Sequence, residues 1–219
     1  MVSDKLAQKA LRSPLSANRS PLAFMKGKLF LLVGPSGSGK SSVLTELKKI
    51  HPEYTYPLSA TTREIREGEK EGEIYHFYTK EQFKAGIEAE EFLEWAIVHQ
   101  DNYYGLIKKP ILEGLAKGET IVREVDIQGF DSIRKEIPKE NLVTLFITAG
   151  SKEELIERII NRAKISEDEL AKRKESMHKE FNRLRDCDYM VENKNGELAG
   201  TVEKVAQIIK SEIDRGGSM

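Results

Sequence analysis

The residues with the plainest chemistry are Gly34-Pro35-Ser36-Gly37-Ser38-Gly39-Lys40-Ser41, two glycines five apart followed by lysine and serine. Glycines let the main chain turn its N–H groups inward around an anion, and a helix starting here adds the partial positive charge of its N-terminus. In such a loop Lys40 neutralises the β- and γ-phosphates of a nucleoside triphosphate, and the Ser41 hydroxyl is placed to hold Mg²⁺. The flanks fit. Leu29 to Val33 reads as a buried strand, and Ser42 to Lys49 as an amphipathic helix. A plain glycine-rich turn is the alternative, but the four fixed positions arise by chance in roughly 1% of chains of this length. The flanking strand and helix lower that figure further, so phosphate binding is the reading we adopt.

The phosphate loop does not name the acceptor. Arg158 and Arg162, four apart on one helical face, precede Arg173 beyond a break in the pattern. Converging guanidinium groups stabilise the charge that builds on a transferring phosphoryl group. On charge pattern alone a solvated basic face paired with Glu154, Glu157 and Glu169 explains them as well. Ser59, Arg63, Arg66 and Tyr75 form a second polar set, in which two planar forks and a phenol can hold a monophosphate. The competing reading is a charged surface hairpin. Glu94, beside the only tryptophan, Trp95, can accept from the N1–H and exocyclic amine of guanine, or it is a helix-surface glutamate. Glu124 and Asp126 end a strand on the side where doubly wound sheets bind ligands, and alternate residues can point together at a metal-bound phosphate.

These groups need a frame. The 219 residues suffice for one α/β domain with an inserted lobe. Charged residues make up 32% but the net charge is only −1, which argues against a general nucleic-acid binder. The single cysteine, Cys187, excludes an intrachain disulfide and a cysteine-rich zinc site. The four histidines lack metal-ligand spacing. No apolar run approaches the roughly 20 residues of a membrane span. A cytoplasmic location and no membrane partner are the expectations. Residues 1–25 carry Lys5, Lys9, Arg12 and Arg19 against Asp4 and read as a disordered or vector-derived extension, with an organellar transit segment as the alternative. Residues 214–219 read as a tail. Between them, strands are expected at Ile74 to Tyr78, Glu119 to Ile127, Leu142 to Ile147 and Tyr189 to Asn193. Helices are expected from Thr79 toward Ala89, over Ile111 to Lys117 up to Gly118, from a capping box at Ser151–Glu154, over Asp168 to about Leu184, and over Thr201 to Ile213. Strands separated by helices predict an α/β fold, a parallel sheet with helices on both faces.

Taken together, the motifs resemble the guanylate kinases. Besides the phosphate loop, they are Ser59-Ala60-Thr61-Thr62-Arg63-x-x-Arg66-x-Gly68-Glu69, Gly72-x-x-Tyr75-x-Phe77, Glu91-Phe92-x-Glu94-Trp95-Ala96, Asn102-Tyr103-Tyr104-Gly105 and Asp126-x-Gln128-Gly129, in family order over about Gly27 to Ile213. The spacing of Arg158, Arg162 and Arg173 follows the same pattern. The resemblance implies a P-loop NTPase-like core (26–57 and 108–213), an inserted GMP-binding lobe (58–107) and a mobile lid (about 158–174). It implies transfer of a phosphoryl group from ATP to GMP, and by extension dGMP, with Mg²⁺, by a monomer or homodimer. Ser59, Arg63, Arg66, Tyr75 and Tyr104 would lie at the GMP phosphate and Glu94 at guanine, with Glu124 and Asp126 also on the GMP side. The phosphate loop through Ser42, with Asn193 near the base, would hold ATP, and Lys40 and the lid arginines would act in catalysis.

Four departures stand out. Leu106 occupies a position where the family has a hydroxyl that helps bind guanine. One extra residue lies near Gln100 or Asp101. Ala163 replaces a lid glycine. Arg123 is a charge inside an otherwise apolar strand, placed either at a sheet edge or beside charged neighbours. Two other readings share the scaffold: a ribose 1,5-bisphosphate phosphokinase, which needs no guanine reader, and a non-catalytic phosphopeptide-binding module, which the intact Lys40 and Ser41 disfavour.

Overall fold

The computed structural model describes residues 25–98, 101–162, 170, 174–175, 177 and 180–216. The expected helix over 168–184 falls largely outside this set; its end is a 3₁₀ turn at Arg183–Asp186. A four-stranded parallel sheet carries the molecule. Its strands are β1 (Lys28–Val33), β6 (Thr120–Glu124), β7 (Leu142–Thr148) and β8 (Tyr189–Glu192), in the order β6-β1-β7-β8. Alternation along β1 sends Leu29, Leu31 and Val33 to one face and Phe30 and Leu32 to the other. Helices α3 (Lys108–Lys117) and α4 (Ile127–Glu136) cover the first face. Helices α1 (Lys40–Ile50) and α6 (Leu198–Gly216) cover the second. Completely buried side chains such as Phe30, Leu32, Phe130 and Phe146 each contribute about 1.5–3 kcal/mol.

A second sheet lies between α1 and α3 in sequence. It contains β2 (Ser59–Thr61), β3 (Tyr75–Phe77), β4 (Phe92–Val98) and β5 (Asn102–Ile107), in the order β3-β2-β5-β4. Helix α2 (Lys80–Glu88) opens with a complete capping box, Thr79 accepting from Gln82 N–H while the Gln82 side chain accepts from Thr79 N–H. Phe83 of α2 stacks on Phe92 and packs with Tyr103 and Trp95 in a small core of its own. The other face joins the main core through Leu93 and Leu106.

Three expectations need correction. The strand read over Glu119 to Ile127 stops at Glu124, because Asp126 turns its carboxylate onto Gly129 N–H (2.8 Å) and caps α4. Glu94 lies on strand β4 and not on a helix surface. At α5 (Lys152–Arg162) Ser151 Oγ accepts from Glu154 N–H as expected. The Glu154 carboxylate, however, takes Gly150 N–H (3.0 Å) and not Ser151 N–H, so only half of the capping box forms.

Candidate active site

The chain leaves β1 into the phosphate loop at Gly34. Gly34, Gly37 and Gly39 all have positive φ, at 146°, 83° and 89°, and side chains there would be strained. At Gly34 an added Cβ would also overlap the Ile147 carbonyl oxygen of β7. Helix α1 begins with no side-chain cap and no acidic residue in its first turn, so its N–H groups face outward unneutralised. Ser38 Oγ is buried and has no hydrogen-bond partner among the described residues. Lys40 Nζ folds back onto the carbonyls of Gly34 (2.6 Å) and Pro35 (3.0 Å). Burial lowers the Lys40 pKa, opposed by the carboxylates of Glu124, Glu180 and Asp126.

A cleft of about 700 Å³ opens above this loop, lined by Ser36, Gly37, Lys40, Ser42, Asp126 and Arg158 among others. Arg158, on α5, donates to Glu154 (2.7 Å), Asn193 O (2.6 Å) and Asn195 Oδ1 (2.9 Å), with a longer bond to Gly37 O (3.4 Å). Asn193, read from sequence as a group near the base, is buried and donates from Nδ2 to Ser38 O (2.8 Å), bracing the loop. Arg162 ends α5, but its side chain lies outside the described residues, as does all of Arg173.

In the second sheet, Ser59 opens β2, Arg63 follows it and Tyr75 lies on β3. Arg63 forms a two-point pair with Glu69 (2.9 Å for each bond) and lies over the rings of Tyr75 (5.7 Å) and Phe77 (5.5 Å). The same Glu69 accepts from Arg66 N–H (2.9 Å), while the Arg66 residue is exposed. Tyr104 meets Tyr75 edge-on at 5.8 Å. Glu94 joins this group through a β-bulge. The β4–β5 register shifts between Phe92 and Glu94, so Leu93 and Glu94 face the same side, one into the core and one toward the site. Glu94 reaches the start of α4, where a Cβ on Gly129 would come 3.3 Å from its carboxyl carbon. Burial, and secondarily Asp126, raise the Glu94 pKa to about 7, with Arg123 opposing.

Between the two groups stands the end of β6. Glu124 accepts from Ser41 Oγ at 2.9 and 3.0 Å, so its contact is with the phosphate loop. Glu124 and Asp126 therefore point in different directions, although both act on the Lys40 charge. Arg123 lies on the edge strand of its sheet, one of the two placements left open by the sequence, and is half-buried: it donates to Pro57 O (3.0 Å) and Ser59 Oγ (2.6 Å).

The family model described as guanylate kinase matches residues 26–212. This chain is a member of the guanylate kinase family. It is accordingly a nucleoside monophosphate kinase, of the ATP:GMP phosphotransferase class. The guanylate kinase of Helicobacter pylori strain 26695 is 38% identical over 187 residues, 85% of this chain and 88% of the relative. A guanylate kinase 2, chloroplastic/mitochondrial, from Oryza sativa is 39% identical over 193 residues, 88% of this chain and 67% of the relative. A crystal structure of guanylate kinase from Anaplasma phagocytophilum superposes with a TM-score of 0.65 at 27% identity, covering 86% of this chain and 87% of that one. The departures of this guanylate kinase can now be placed. Leu106 is completely buried in the main core. Asp101 adopts a positive φ of 79° in the β4–β5 turn and pairs with Lys80 at 2.7 Å. Gln100 and Ala163 lie outside the described residues.

Proposed function

We propose that this guanylate kinase holds ATP in the cleft over the phosphate loop and GMP in the lobe built on the second sheet, residues 58–107. Support comes from two polar clusters of opposite construction, one made of main-chain N–H groups and one of side chains. On ATP binding, the triphosphate oxygens replace the Gly34 and Pro35 carbonyls as partners of Lys40. Ser59, Arg63, Arg66, Tyr75 and Tyr104 receive the GMP phosphate, and Glu94 accepts the two guanine donors. Arg158, Arg162 and Arg173 gather around the transferring group as the lid closes and excludes water, which competes with GMP. Positioning and charge stabilisation carry the reaction, so in-line attack by a GMP phosphate oxygen needs no covalent enzyme intermediate.

The donors around Ser41 fit Mg²⁺, which takes one or two protein oxygens and fills its remaining positions with water and phosphate. Ser41 Oγ donates its proton to Glu124 and so keeps its lone pairs for a cation, and Asp126 lies on the cleft wall. The ion would supply neutralisation of the phosphate charge. Coupled ADP-release kinetics with GMP, dGMP, AMP, UMP and ribose 1,5-bisphosphate test the proposal. GMP is expected to give the highest kcat/KM, with dGMP also used. Lys40→Met should lower kcat on the order of 10³-fold while the fold persists by circular dichroism. Better turnover of AMP or the ribose compound would reject the Glu94 assignment.

A further inference from the structure

Arg123 breaks the rule of its strand. Ile121 and Val122 of β6 are completely buried, and Ile121, two residues earlier and on the same side as Arg123, packs in the core with Leu93 and Leu106 of the second sheet. An arginine in this position must bring its own hydrogen-bond partners. Across the second sheet the register runs Tyr75, Ser59, Leu106, Glu94, so a leucine separates Ser59 from Glu94 in that row. On the β5 side the neighbour of Ser59, Leu106, offers no polar group. Arg123 supplies one from the core sheet, at 2.6 Å, while its other η-nitrogen holds Pro57 O just before β2.

This contact also fixes direction. Ser59 is 4% exposed, and among the described residues its Oγ accepts from Arg123 and donates to none. A guanidinium can only donate, so it occupies a lone pair of Oγ and leaves the hydroxyl proton to point elsewhere. We propose that Arg123 is a positioning residue of the acceptor site: it locks Ser59 as a donor toward the GMP phosphate and ties the base of the second sheet to β6, a role that rests on reading Ser59 as a GMP-phosphate ligand. The next residue, Glu124, reaches Ser41 on the opposite face, so adjacent positions of one strand brace both phosphate sites.

The test is a double-mutant cycle on Arg123→Met and Ser59→Ala, read as KM for GMP, KM for ATP and GMP affinity by calorimetry. Each single variant is expected to raise the KM for GMP about tenfold, with the KM for ATP within about twofold of its starting value. The double variant should be no worse than either single one. Arg123→Lys, which keeps one donor and the charge, should fall between, and it serves in the same comparison if Arg123→Met does not fold. Equal rises in both KM values would mean general disruption and overturn the positioning role. So would multiplying effects in the double variant, which would place Arg123 on the acceptor independently of Ser59. If Ser59→Ala alone leaves GMP affinity intact, the Ser59 reading falls and takes this role with it. If Ser59→Ala weakens GMP but Arg123→Met does not, the acceptor site stands and only the role of Arg123 falls.

Discussion

In the guanine-reading role proposed for it, Glu94 must be ionised to accept two hydrogen bonds, yet its surroundings oppose ionisation. Burial is the main cause and Asp126 the second, and together they bring its pKa to about 7. Free enzyme at pH 6 therefore carries mostly neutral Glu94, and binding GMP must expel that proton. The KM for GMP should fall as pH rises from 6 to 8, while the KM for ATP changes little over the same window. A flat GMP profile would disprove the assignment. Glu94→Gln should remove the pH dependence and weaken GMP by one to two orders of magnitude, about 1.5–3 kcal/mol for hydrogen bonds to a charged group. Stability should move the other way. A carboxyl with a raised folded pKa binds more protons folded than unfolded between about 4.5 and 7, so its contribution falls as pH rises through that interval. The Gln variant should gain melting temperature relative to the parent at pH 8 and not at pH 4.

The elements divide by how local their signals are. Helix α2 could be read from Thr79 and Gln82 alone, and the end of α3 from Gly118, because caps and left-handed glycines act within a few residues. β1 and β7 showed as apolar runs because both faces of their sheet are covered. Helix α4 is not legible in this way, because Asp126 reads as the end of a strand whereas its carboxylate accepts from Gly129 N–H and caps the helix. The bulge that turns Glu94 toward the site leaves no mark in composition, since it is a property of the pairing with β5. The partners of Arg123 could not be read either, because Ser59 lies 64 residues away in sequence. Tight packing at the loop yields a prediction of its own. At Gly34 both the backbone angle and the β7 carbonyl exclude a side chain. Gly34→Ala should cost stability, on the order of 2 kcal/mol or more in denaturant unfolding, as well as ATP binding. An unchanged unfolding midpoint would mean that the loop yields more than its packing implies.

At the scale of the whole molecule, two sheets share one core through Leu93 and Leu106 and are pinned a second time by Arg123. The closure proposed for the GMP lobe is then expected to be a rotation about this seam, carrying α2 and the aromatic cluster it packs against. Small-angle scattering should give a radius of gyration near 17 Å for a monomer. It should shrink when GMP and a non-hydrolysable ATP analogue are both present, and less with either alone; an unchanged radius with both bound would argue against the closing cleft. The alternation of β6 sets a further condition on the molecule's history. Its last two side chains, one cationic and one anionic, face opposite ways, one holding Ser59 and the other Ser41. Gaining or losing a single codon ahead of them would turn each to the other face and break both contacts, that of Arg123 with Ser59 and that of Glu124 with Ser41. Drift in length is therefore expected in the surface loops of this lineage and closed to the five residues of that strand.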